Sequence, residues 1–153
     1  MADIVSVVEL IAEPGRWLVP LTGCSVTQCC VDYGFTLIIS DGKNSFDVRI
    51  EQAFELALDG EALGLDPEGD PRMLAPALAV LHAPVAEAVA FDDGRLVVKF
   101  TAGGELRVPG GNDYEPWTLV GPAGLRLVSM PGGELAIWKP GEPSPPAAKS
   151  TRD

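Results

Sequence analysis

The chain is short of cations, of cysteine and of histidine. Lys and Arg number 11 against 22 Asp and Glu in 153 residues, a formal net charge of −11. A surface so biased repels phosphate backbones, which excludes sequence-independent nucleic-acid binding and disfavours an anionic membrane surface. Three cysteines are too few for a disulfide scaffold, and an odd number agrees with a reducing, cytoplasmic compartment. Long apolar runs are also missing. The longest, from Leu74 to Phe91, contains Pro76, His82, Pro84 and Glu87, so no membrane span is expected. The first residues, Met-Ala-Asp-Ile-Val-Ser, lack the basic stretch of a secretory signal. No Gly-x-Ser-x-Gly elbow, Gly-x-Gly-x-x-Gly fingerprint or P-loop occurs.

Hydrophobic residues make up 46% of the chain, which is too much buriable surface for a disordered acidic tail. A chain of this length buries about 70% of its unfolded surface, enough for one core. Residues 1–139 read as a single domain. From Pro140 to Asp153 no hydrophobic residue larger than alanine occurs among the prolines, and this tail is expected to be disordered. Gly 17 and Pro 14 do not suit a helical bundle; they suit short strands joined by turns.

Alternation carries most of the strand signal. Phe46, Val48 and Ile50 alternate with Asp47, Arg49 and Glu51, and Phe54, Leu56 and Leu58 repeat the pattern. Phe35 to Ile39 is a continuous apolar run, as in a central strand. After Pro84 a series of hairpins follows: 85–91, 95–100, 105–108, 114–120, 125–130 and 134–138. The Asp93-Gly94 pair is a strong hairpin signal. Residues 3–11 fit either a helix or a strand. Residues 59–71 read as an acidic loop. One helix follows at about 72–82, with Leu74, Ala77, Leu78 and Leu81 as its apolar stripe, Asp70 as its cap and Pro76 tightening its first turns. The fold expected is α+β: mainly antiparallel β-sheet, as a sandwich or partly closed barrel, with that one helix.

The residues with chemistry in them are few. Cys24, Cys29, Cys30 and His82 supply metal-capable side chains, but the cysteine spacing is wrong for a tight zinc turn. They read as small core residues, and no metal or cofactor is called for. His82 at the helix end has no partner in the sequence to make it a general base. Asp66, Glu68 and Asp70 alternate as in calcium loops, yet glycine falls at the wrong position and Ala77 stands where glutamate is needed. Seven acids (Glu51, Glu55, Asp59, Glu61, Asp66, Glu68, Asp70) and no base lie between Arg49 and Arg72. On one face they suit a cationic partner. Trp117 and Trp138 would share a sheet face if their strands are neighbours.

The last third holds Tyr114-Glu115-Pro116-Trp117 and Pro131-Gly-Gly-Glu-Leu-Ala-Ile-Trp138. These patterns resemble a small actinobacterial family known as a domain of unknown function, with Tyr-Glu-x-Trp and Pro-Gly-Gly-Glu-x-Ala-x-Trp motifs. The likeness covers roughly residues 16–138 and implies no established active site. Similar small acidic domains occur among immunity proteins of toxin systems, which implies binding rather than catalysis. The function expected is therefore a non-enzymatic protein-binding domain, of immunity type, docking a basic protein partner. Its candidate binding residues are Asp59, Glu61, Asp66, Glu68, Asp70, Tyr114, Glu115 and Trp117. Two alternatives stand beside it: a barrel-like protein that binds or turns over a small ligand, and a structural scaffold. Strand order and oligomeric state are not legible.

Overall fold

The computed structural model describes residues 9–111 and 115–141. In chain order the strands are β1 (Ile11–Glu13), β2 (Arg16–Val19), β3 (Ser25–Val31), β4 (Phe35–Ser40), β5 (Ser45–Ile50), β6 (Phe54–Leu58), β7 (Glu61–Leu65), β8 (Val85–Phe91), β9 (Leu96–Phe100), β10 (Glu105–Val108), β11 (Trp117–Val120), β12 (Arg126–Ser129) and β13 (Leu135–Trp138). They form two antiparallel sheets. The first runs β1-β2-β8-β9-β10-β6-β7, and the second runs β13-β12-β11-β5-β4-β3. The sheets do not close into a barrel. The expected antiparallel architecture is there, in its two-sheet form. Of the ambiguous residues 3–11, Ile11 opens β1 and 3–8 lie outside the described residues, as does the tail from 142 onward.

Period-two alternation explains which face each strand buries. Phe46, Val48 and Ile50 of β5 are buried, while Ser45 and Asp47 are exposed. Leu37 of β4 and Leu119 of β11 pair with Val48 from either side and are equally buried. From the other sheet come Leu56, Leu96, Val98 and Leu106. All of these belong to one core cluster. Phe35 of β4 and Phe54 of β6 stack across it with ring centroids 5.7 Å apart.

One expectation about the strands needs correction here. The acidic stretch 59–71 is not all loop, because Glu61–Leu65 pairs with β6 as strand β7. Asp59 and Gly60, with φ of 50° and 82°, make the tight turn between them. Trp117 and Trp138 do not share a face. Strand β12 separates their strands, and the row through Trp138 runs by Arg126 to Val120, three residues from Trp117 and so on the opposite face.

The helix spans Pro71–Val80 and is wound as a 3-10 helix. Asp70 caps it, its carboxylate accepting the Arg72 N–H at 2.9 Å. Pro76 has no N–H, and in an α-helix its ring would strike the carbonyl of residue 72. Three residues per turn put Leu74, Ala77 and Val80 in line, and these are the buried ones. Leu78 and Leu81, expected in the stripe on α spacing, turn outward at 50% and 37% exposure. The helix touches β7 and β3, the edge strands of the two sheets on this side.

The two sheets are also tied by a polar contact. The hairpin turn at 92–94 leaves the first sheet and meets the second. There the Gly94 carbonyl accepts the Trp117 indole N–H at 2.7 Å and the Ser129 hydroxyl at 2.9 Å. Gly94 itself is buried with φ of 93°, and a Cβ there would stand 2.9 Å from Ser129 Oγ. Gly110 lets the Asp93 carbonyl approach, since its own Cβ would sit 2.6 Å away. Among the described residues no buried side-chain polar atom lacks a partner.

Stability measurements on four variants check this account. Urea unfolding should show Leu74→Ala costing about 2–5 kcal/mol and Leu78→Ala within about 0.5 kcal/mol, the reverse of what α spacing would give for Leu78. Gly94→Ala should cost about 2–4 kcal/mol, from positive φ and the clash together. Trp117→Phe should cost about 1–3 kcal/mol, from the lost indole bond and the cavity left behind together.

Candidate functional site

The acid-rich segment runs from the end of β5 to the helix. Its acids fall into two kinds. Glu51 and Glu55 are paired: Glu51 accepts Arg49 Nε at 2.9 Å, and Glu55 pairs with Arg107, which also holds Glu105 at 2.6 Å. Asp70 pairs with Arg72 at 2.8 Å while capping the helix. Asp59, Glu61, Asp66 and Glu68 are exposed and, among the described residues, have no cationic partner. Asp66 accepts the Glu68 N–H at 2.9 Å, and Gly69 N–H bonds back to its carbonyl at 3.1 Å, so the 66–69 turn is locally closed.

Strand β7 sets the layout. Asp59 and Glu61 stand at its turn end, and Asp66, Glu68 and Asp70 beyond its other end. Five strand residues span about 17 Å. The acids therefore form two groups bracketing one strand rather than one patch. That distance exceeds the Debye length of about 8 Å at physiological salt, so the groups act separately on anything that approaches. The sequence pattern alone missed the strand between them, although Asp59-Gly60 is the same hairpin pair as Asp93-Gly94.

The remaining candidate residues are dispersed. Tyr114 lies outside the described residues. Glu115 is exposed. Trp117 is fully buried, its N–H given to Gly94, and offers no surface to a partner. His82 is exposed, with φ of 72°, and its backbone N–H donates to the Val26 carbonyl at 2.7 Å. Its ring has no carboxylate or hydroxyl bonded to it among the described residues. Cys24 is buried, Cys29 half-buried and Cys30 exposed, all as free thiols. Burial pushes the Cys24 and Cys29 thiols up, away from the reactive thiolate form.

An open hollow of about 300 Å³ lies on the outer face of the first sheet, lined by Glu55, Arg95, Val97, Arg107 and Pro109 among others. Its cations are already occupied. Arg95 pairs with Asp93 at 2.9 Å and stacks on Phe91, and Arg107 is held by two glutamates. Between the sheets the buried side chains of the described residues form one apolar cluster. Among the described residues no helix is long and apolar enough to cross a membrane.

Residues 17–139 match a protein family described only as being of unknown function. Comparison with curated proteins and with solved structures returned no match.

The paired carboxylates predict an acid response. Backbone N–H groups hold Asp32 and Asp41 below the usual carboxylate range, with Arg49 adding to the first. Arg72 does the same for Asp70. Partial burial opposes ionisation of Asp93, but Arg95 outweighs it and the net shift is also downward. Depressed folded-state values stabilise the fold above the unfolded-state pKa, and that stability drains as pH falls through the folded values. Urea midpoints should hold from pH 7 to about pH 5 and drop below about pH 4. Arg72→Ala should flatten the drop, because the stability it removes is present only while Asp70 is ionised.

Proposed function

The chain belongs to that family, DUF6188, whose description assigns no activity, and from the geometry we propose a non-enzymatic protein-binding domain whose 59–70 segment docks a basic protein. One observation carries the reading. Four successive acids, Asp59, Glu61, Asp66 and Glu68, are exposed and have no cationic partner among the described residues, whereas Glu51, Glu55 and Asp70 beside them are each held by an arginine. Unneutralised charge at a fixed spacing is what a cationic surface can recognise. The apolar core, with its buried polar groups partnered among the described residues, supports a surface role.

The mechanism is steering followed by desolvation of a few contacts. A net charge of −11 draws in a basic protein from a distance, and the two acid groups then fix its orientation. Inhibition of a toxin in an immunity pair would use the same physics, by covering the basic surface that the toxin presents to its own target. The likeness of the sequence Tyr114-Glu115-Pro116-Trp117 and of residues 131–138 to an actinobacterial family belongs with this reading, as does a cytoplasmic location. The aromatic and hairpin residues would then serve the fold.

The test takes as ligands whichever proteins of the neighbouring genes carry a net positive charge. Association measured by stopped flow should slow by at least tenfold between about 50 and 500 mM salt. The combined change of Asp59, Glu61, Asp66 and Glu68 to Lys should remove that dependence while the far-ultraviolet spectrum stays native. Binding that is indifferent to both salt and charge reversal would sink the reading.

A further inference from the structure

Strand β7 ends its sheet, and the backbone atoms of that edge are open. Leu58 and Glu61 flank the two-residue Asp59-Gly60 turn, and the register pairs Leu56 with Leu63 and Phe54 with Leu65. In such a hairpin these pairs exchange their hydrogen bonds. The N–H and C=O groups of Ala62 and Gly64 then point away from β6. Among the described residues no backbone or side-chain group bonds to them. The other edges are managed. That of β3 is partly covered, with Val26 N–H given to Ala83 O at 3.0 Å and Val85 N–H to Cys24 O at 2.8 Å. β1 is three residues long, and β13 runs into Lys139 and Pro140. Short strands, lysine, proline and a covering helix are among the usual protections of an edge; β7 has none of the first three, and although the helix meets it, Ala62 and Gly64 stay exposed. It is regular over five residues, it carries small side chains at 62 and 64, and the space a Cβ would fill at Gly64 is empty.

We propose that β7 accepts an extended cationic segment of a partner protein as an added antiparallel strand. This rests on the basic-partner reading above and names its mode. Ala62 and Gly64 would supply the backbone bonds. Asp59 and Glu61 at one end, and Asp66 and Glu68 at the other, would meet Lys or Arg side chains flanking the strand. Alternate residues of the added strand fall beside Leu63, which is only half-buried at the sheet's end, and these should be apolar. Charge complementarity selects this occupant over a second copy, because a second copy brings the same four acids to the same edge.

The probe is the synthetic peptide Lys-Lys-Val-Thr-Val-Thr-Val-Lys-Lys. Its control carries N-methyl groups on both threonine amides, which keeps every charge and removes the donors that face β7. The protein variant is Gly64→Pro, which deletes one outward N–H and no bond to β6; a native thermal transition shows that it folds. Expected are at least tenfold weaker binding of the methylated peptide, a similar loss with Gly64→Pro, and slowed amide exchange at Ala62 and Gly64 when the parent peptide binds. Equal binding of both peptides, with exchange at these amides unchanged, overturns strand addition and leaves charge-led docking standing. Failure of both peptides to bind at low salt overturns the docking reading as well. Exchange protection of the same amides in the protein alone, rising with its concentration, would give the edge to a second copy and overturn the cationic occupant.

Discussion

Two donors on one carbonyl oxygen hold this fold in register. Trp117 is the largest fully buried side chain, and its indole N–H lies where no solvent can satisfy it. Left alone, that group would cost about 1–3 kcal/mol. Its acceptor is the Gly94 carbonyl, on a turn of the other sheet, and Ser129 shares the same oxygen. Apolar packing between sheets is non-directional and tolerates sliding. A shared acceptor does not. It fixes the β8–β9 hairpin against β11 and β12, and through the ladder it fixes β10, β6 and β7. The glycines at 94, 110 and 133 are part of the same device, since a side chain at any of them would push the turn out. The helix can then span from β7 to β3 because both edges are held at a set distance. The exposed edge of β7 thus depends on a contact on the far side of the core.

What the sequence made legible, and what it hid, follows from the range of each interaction. Alternation in β5 and β9 reports a local property, the burial of every second residue, and it reads directly from the chain. So does Asp93-Gly94, because a tight turn is a dipeptide event. The helix was legible in place but not in winding. Its apolar residues satisfy both 3.6 and 3.0 spacing for two turns, and the choice falls to Pro76 and to the gap it must fill. Strand β7 was hidden by its composition. Glu61, Ala62 and Gly64 are poor strand formers, and the strand exists because Leu63 and Leu65 pair with Leu56 and Phe54. The acid run was visible as a count. Its division into two groups was not, since that depends on the strand between them. The faces of Trp117 and Trp138 depend on strand order, which no local pattern encodes.

The charges around β7 decide between partners by sign. In an antiparallel pairing of two copies, Asp59 and Glu61 of one would lie beside Asp66 and Glu68 of the other, at both ends. In a parallel pairing each acid would lie near its own copy. Like charges meet in either direction. At about 6 Å in water-like surroundings each such pair costs about 0.7 kcal/mol, so four pairs oppose self-association by about 3 kcal/mol before salt screening. A lysine-flanked strand turns the same terms attractive. The difference between the two occupants is then about 6 kcal/mol, roughly four powers of ten at low salt. Backbone bonding along the edge is the same for both and contributes nothing to the choice. The acids therefore protect the edge from its own kind and, by the same Coulomb terms, open it to an extended basic segment.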